Sequence, residues 1–253
     1  MMRGMSVTPI AAPHSPDAAA RDAAIAFGER MARFWERRLG ADLLGAYLIG
    51  SLAHGGFSRR YSDIDMLVTA EHGVSPEDQE AMRAEAAAIA PDLSGKLSLF
   101  WSDRSFGSGR FPPLDRLDYL DRPVPLIERE RPACARPSLG AIRAYLEGSP
   151  FANWVERSRR FAEAEALAAS DRKPYIRQLL YPARLVYSWR TGEIASNDAA
   201  VAFLQDHAPP GLDCDLVRRA LALRQAAADP DPLFVERGKL AQQIAACQRL
   251  IDS

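Results

Sequence analysis

Apolar residues recur along the first half of the chain with two different periods. After Ser15-Pro16-Asp17, Ile25, Phe27, Met31, Phe34 and Trp35 roughly follow helical spacing, and Gly40 supplies a stop. Serine as a cap, proline at the first helical position and an early acid suit the start of that helix. Short apolar runs then predict strands at 45–50, 63–69 and 96–101. Between the second and third, residues 75–91 (SPEDQEAMRAEAAAIAP) predict a helix capped by Ser75, with Pro76 first and Pro91 at its end. The run PVPLIE at 123–128 reads as an edge strand, where proline is tolerated. Residues 1–15, with Pro9, Pro13 and Ser15, read as a loose arm.

From 139 onward the pattern is helical throughout. Ile176, Leu179, Leu180, Ala183 and Tyr187 form one helical stripe for burial, and Pro182 inside that run should kink the helix. The segment 129–138 (RERPACARPS), proline-bearing and densely charged, is the expected boundary. The reading is therefore α+β: a small mixed-sheet domain over 1–133, then an all-α helical bundle over 134–253.

Composition narrows the partners. The 253 residues are 47% hydrophobic and 26% charged, ordinary for a chain with a sizeable core. A net charge of −1 gives no whole-molecule attraction to nucleic acid or to an anionic membrane. No apolar run approaches the roughly 18 residues of a spanning helix, and the N-terminus lacks a signal-like segment. Cys134, Cys214 and Cys247 are odd in number and widely spaced, which fits reduced thiols and a cytoplasmic setting. His14, His54, His72 and His207 show no metal-ligand spacing, and Arg157, Arg159 and Arg160 read as a solvated helix face.

The chemistry gathers in residues 45–68, GAYLIGSLAHGGFSRRYSDIDMLV. Asp63 and Asp65 stand two apart at a strand start, so both side chains leave one face, roughly 6–7 Å apart. Two ionised carboxylates there repel by about 2–3 kcal/mol at an effective dielectric near 20. A divalent cation reverses that sign, and two oxygen ligands suit magnesium. A second ion about 4 Å away would make a two-metal phosphoryl-transfer site. Gly50 lets the backbone approach a ligand, Ser51 offers an amide and a hydroxyl, and Ser62 adds a hydroxyl at the same end. A loop carrying Arg59 and Arg60 can fold over with positive charge. These parts read as a triphosphate seat beside a metal seat.

The order strand, Gly-Ser, about a dozen residues, then D-I-D entering an apolar strand resembles the signature of polymerase-β-like nucleotidyltransferases. GSLAHGGFSRRYSDIDMLV and the later ARLVYSWRTGEIASNDAAVAFLQDHAP are similar to the streptomycin/spectinomycin (aminoglycoside) adenylyltransferases. That resemblance implies transfer of AMP from ATP to a hydroxyl of a small, possibly aminoglycoside-like acceptor, assisted by two Mg2+ ions. It implies that Asp63 and Asp65 hold magnesium and carry the catalysis. Gly50, Ser51, Ser62 and Arg184 would bind the nucleotide phosphates.

The chain departs from those enzymes at several positions. Ser98 stands where they place a strand glutamate as general base, and serine is no base unaided. Asp103, at the strand end, is the expected substitute, though strand parity sets it on the opposite face unless a bulge intervenes. Asn197 replaces a lysine before the acid of the T-G-E-I segment, and the drug-cleft residues of those enzymes are not recognisable over 165–177. Arg110, Phe111 and Tyr119 read as a packed loop, with a lining of the acceptor cleft as the alternative. Two alternatives stay open: AMP transfer to a protein hydroxyl, as in antitoxin-type relatives, and a nucleotide-binding module without turnover.

Overall fold

A computed structural model describes residues 16–253; the arm expected over 1–15 and the Ser15 cap lie outside the described residues. Helix α1 (Pro16–Leu39) buries Ala24, Phe27, Met31, Phe34 and Trp35, and Gly40 ends it with a φ of +54°. Strand β1 (Leu43–Ile49) follows, buried at all seven positions because both its faces are covered. A one-turn helix α2 (Ser51–His54) leads to β2 (Ile64–Ala70). Helix α3 (Pro76–Ile89) starts with a capping box, the Ser75 hydroxyl accepting from the Asp78 amide and the Asp78 carboxylate from the Ser75 amide. Pro91 does more than end that helix: it opens the short α4 (Pro91–Ser94), and β3 (Leu97–Asp103) follows. Then come β4 (Gly109–Arg110), α5 (Pro113–Asp121) and β5 (Val124–Glu128).

The sheet runs β4-β3-β2-β1-β5, mixed in direction: β2 and β3 are parallel and the other pairs antiparallel. Pro125 sits in the edge strand, as expected. Strand alternation divides the side chains between two layers. On one face Leu48, Met66, Val68 and Leu99 pack under α1 and α3. On the other, Tyr47, Ile49, Leu67 and Phe100 pack with Phe111 and with Tyr119 of α5. Asp65 shares the parity of Leu67, so its carboxylate leaves the sheet on the α5 side.

All elements after β5 are helical: α6 (Leu139–Glu147), α7 (Ser149–Glu163), α8 (Arg172–Thr191), α9 (Asn197–His207), α10 (Cys214–Gln225), α11 (Asp231–Phe234) and α12 (Leu240–Ile251). Helix α8 is the central pillar, burying Ile176, Leu179, Leu180, Ala183, Val186 and Trp189 against its neighbours. Tyr187, on the expected stripe, is half-buried and meets the Phe203 ring edge-on at 5.1 Å. Pro182 has no amide to give the carbonyl of Gln178, four residues earlier. The indole Nε1 of Trp154, on α7, donates to that carbonyl at 3.0 Å, so the proline's lost bond is replaced across the helix interface. Cys134, Cys214 and Cys247 are free thiols. Among the described residues, no helix is long and apolar enough to cross a membrane.

Candidate active site

Strand β1 ends against a turn that only glycine fits well. Gly50 has φ +64°, and a Cβ there would lie 2.5 Å from Oδ2 of Asp65. The chain therefore passes directly over the second acid. Ser51 follows, its hydroxyl donating to Oγ of Ser62 at 3.1 Å. Ser62 Oγ also accepts from the Ser58 amide at 3.0 Å and from Nη2 of Arg224 at 2.8 Å. Arg224, on α10, donates as well to the carbonyl of Gly56 at 2.7 Å. One buried arginine of the helical half thus holds both ends of the loop between Ser51 and Asp63.

Asp63 is ion-paired to Lys173 and Arg177 of α8. These two cations meet the carboxylate where a dication would otherwise offset its charge. Asp65 is half-buried, and that burial pushes its carboxyl up to about 6, helped by the negative charges of Asp63 and Asp118. Helix α5 adds two further acids, Asp115 and Asp118, three residues apart and so on one helical face. Burial raises Asp115 to about 7, and the charges of Asp118 and Asp65 act in the same direction. Nε2 of His54 lies 3.3 Å from Oδ1 of Asp118, at ion-pair range but without hydrogen-bond alignment, and the buried Nδ1 has no partner.

These groups line a single cavity of about 440 Å3 between the sheet and the helical half, a size that suits a small molecule. Its sheet wall bears Asp63, Asp65, Asp115 and Asp118; its helical wall bears Arg157, Arg177, Arg184 and Arg224 and no carboxylate. Helix α8 sets the spacing of that wall: Arg177, Tyr181, Arg184 and Ser188 follow one another at intervals of three or four and line the cavity, with Lys173 one turn before them on Asp63.

Of the residues expected from the sequence, Gly50, Ser51, Ser62, Asp63, Asp65 and Arg184 all reach this cavity. Asp103 does not. Strand pairing from Ile64↔Leu97 to Ala70↔Asp103 is unbroken, so no bulge turns its side chain to the Ser98 face. Its carboxylate instead closes a turn, accepting from the amides of Ser105 (2.9 Å), Gly107 (3.0 Å) and Ser108 (3.0 Å). A hydrogen bond from the Ser108 hydroxyl, with others from Ser105 and the turn amides, lowers its carboxyl to about 2, too weak a base for a hydroxyl proton. Arg59 and Arg60 also lie outside the cavity lining; Arg60 pairs with Asp229, tying the loop to the helical half. Arg157 is exposed, as expected of a solvated helix face, and also lines the cavity. Phe111 and Tyr119 are buried, and Arg110, exposed on β4, holds its guanidinium 4.8 Å from the Phe100 ring centre; none of the three lines the cavity.

Magnesium fits this donor set in one particular way. Two carboxylates flank a backbone turn too tight for a side chain, but among the described residues no group of three or more His, Cys, Asp or Glu forms a cage. A magnesium ion is commonly held by one or two carboxylates together with substrate phosphates and water. Asp63 and Asp65 would serve in that way.

The fold is a mixed sheet with paired acids at the start of its second strand, followed by helices that wall the cleft. No family model and no curated protein sequence matches the chain. Its structure is similar to the crystal structure of spectinomycin adenyltransferase AAD(9) from Enterococcus faecialis with ATP and spectinomycin, with a TM-score of 0.60 and 13% identity over 92% of this chain and 99% of that one. At that identity the likeness is one of fold, and it bears out the α+β architecture expected from the sequence.

Proposed function

We propose that the protein is a magnesium-dependent nucleotidyltransferase that moves AMP from ATP to a hydroxyl of a small-molecule acceptor. One observation carries the reading: the Gly50-Ser51 turn, the Asp63–Asp65 pair and Arg184 come from three distant segments and line the same cavity. The solved neighbour of this fold holds ATP and spectinomycin, which makes ATP the first donor to assay and an aminocyclitol an early acceptor.

In this account two domains, 1–133 and 134–253, enclose the cleft. Asp63 and Asp65 hold magnesium, one ion or two, which supplies charge stabilisation for the attacking and leaving oxygens. Gly50 and Ser51 present amide and hydroxyl donors to the phosphates, with Ser62 beside them. Arg184 approaches the triphosphate from the helical side. Lys173 and Arg177 exchange Asp63 for phosphate oxygens when the nucleotide binds, so their charge follows the substrate. The helical wall covers the cleft and limits the access of water to it.

Incubation with α-labelled ATP, magnesium and a panel of hydroxyl compounds tests the proposal. Label on small molecules with matching pyrophosphate release is expected. Label on protein bands would shift the reading to a protein acceptor, and magnesium-dependent ATP binding without pyrophosphate release would make the chain a binding module.

A further inference from the structure

Ser98 pairs in parallel register with Asp65, so strand β3 offers no carboxylate beside the metal seat. The acceptor's proton must still leave. Four groups around the cleft could take it. Asp103 points away and is held by its turn. Nδ1 of His54 is sealed from solvent, so no acceptor atom reaches it, and its Nε2 faces Asp118. Asp118 is itself buried against that histidine. Asp115 remains.

Its place differs from all of these. Asp115 lies in the first turn of α5, is half-buried, and lines the cavity with part of its surface open to the cleft. Among the described residues its carboxylate makes no hydrogen bond and no ion pair. Such a group costs free energy to bury and gives the fold nothing in return. We infer that Asp115 is the catalytic base of the proposed transfer, receiving the proton of the acceptor hydroxyl at its free carboxylate oxygen.

The inference rests on the nucleotidyl-transfer reading. In the step, the acceptor oxygen forms a bond to the α-phosphorus of ATP, and the bond from that phosphorus to the bridging oxygen breaks. Pyrophosphate departs with the bond's electron pair, and the acceptor's proton passes to Asp115. The charged and titratable groups facing Asp115 are Asp65 on β2, Asp118 on α5, Arg184 on α8, Arg110 on β4 and Tyr145 on α6. Burial and the two acids outweigh the two arginines and raise the carboxyl to about 7, where a general base is both free and strong enough near neutral pH.

The full-length protein tests this through Asp115→Asn, with Asp103→Asn as the control. Calorimetry with magnesium and a non-hydrolysable ATP analogue should give wild-type and Asp115→Asn affinities within about threefold. Pyrophosphate release, with the best acceptor found or with water as the acceptor, should fall about 100-fold or more in Asp115→Asn, the usual size of a general-base effect. The wild-type rate should rise from acid toward neutral pH, and that rise should vanish in the variant. Asp103→Asn should turn over like the wild type. Equal turnover or an unchanged pH profile in Asp115→Asn overturns the assignment of the base while leaving the transfer reading intact. A wild type that binds no magnesium nucleotide, or binds it and never releases pyrophosphate, overturns both.

Discussion

Asp115→Asn should also make the metal-free protein more stable at pH 8. Asp115 has an ordinary value of 3.8 and is raised to about 7 in the fold. Between those values the folded state keeps a proton that the unfolded chain has released, so its stability falls as pH rises through the window from about 4 to about 7. A shift of about three units corresponds to a ceiling of about 4 kcal/mol at pH 8. Because the carboxylate opens onto a solvent-filled cleft, screening reduces this, and about 1–2 kcal/mol is the expected gain from the variant. For a chain of this size that is roughly 3–6 °C in Tm. Thermal melts in chelator from pH 3.5 to 8 would measure it: the two proteins should converge at the acid end, where the carboxyl is protonated in both states, and separate steadily above pH 4. A variant no more stable at pH 8, or a gain that does not change with pH, would refute the reasoning.

Other residues allow independent checks. Gly50→Ala should cost about 1–3 kcal/mol and weaken magnesium-nucleotide binding at least tenfold, since its Cβ would strike Asp65 at 2.5 Å and the backbone is left-handed; melts and calorimetry read the two effects. Arg224→Ala, which removes donors to Ser62 and Gly56, should cost about 2–4 kcal/mol in urea unfolding and expose the 55–62 loop to protease. Trp154→Phe leaves the Gln178 carbonyl without its donor and should cost about 1–3 kcal/mol. Part of that should return in the Trp154→Phe/Pro182→Ala double variant, where a backbone amide is available again, and a double-mutant cycle measures the recovery.

The paired acids were legible because strand geometry is simple. A period of two puts positions 63 and 65 on one face of an extended segment, with Asp63 just before β2 and Asp65 inside it; the same parity argued against Asp103, which the unbroken β3 pairing keeps off the Ser98 face. Burial of the α1 and α8 stripes followed from helical spacing in the same way. Asp115 and Asp118 were not legible, since their role depends on how α5, a nine-residue helix between two strands, lies across the sheet. Nothing in RFPPLDRLDYLD fixes that placement locally. The stripe from Lys173 to Ser188 was present in the sequence at helical intervals of three or four. Reading 165–177 for the drug-cleft residues of known enzymes, rather than for periodicity, hid it. Arg224 lies 162 positions from the serine it holds, a separation that no local pattern spans.

On the proposed function, the carboxylate pair under the Gly50 turn grips a divalent cation against a triphosphate. Crystals grown with manganese and a non-hydrolysable ATP analogue test it most directly, because manganese is located by its anomalous scattering. Peaks bridging Asp63, Asp65 and the phosphates, with Lys173 and Arg177 turned from Asp63 toward phosphate oxygens, are the predicted result. A nucleotide bound elsewhere, or Asp63 still paired to both cations with no metal beside Asp65, would contradict it.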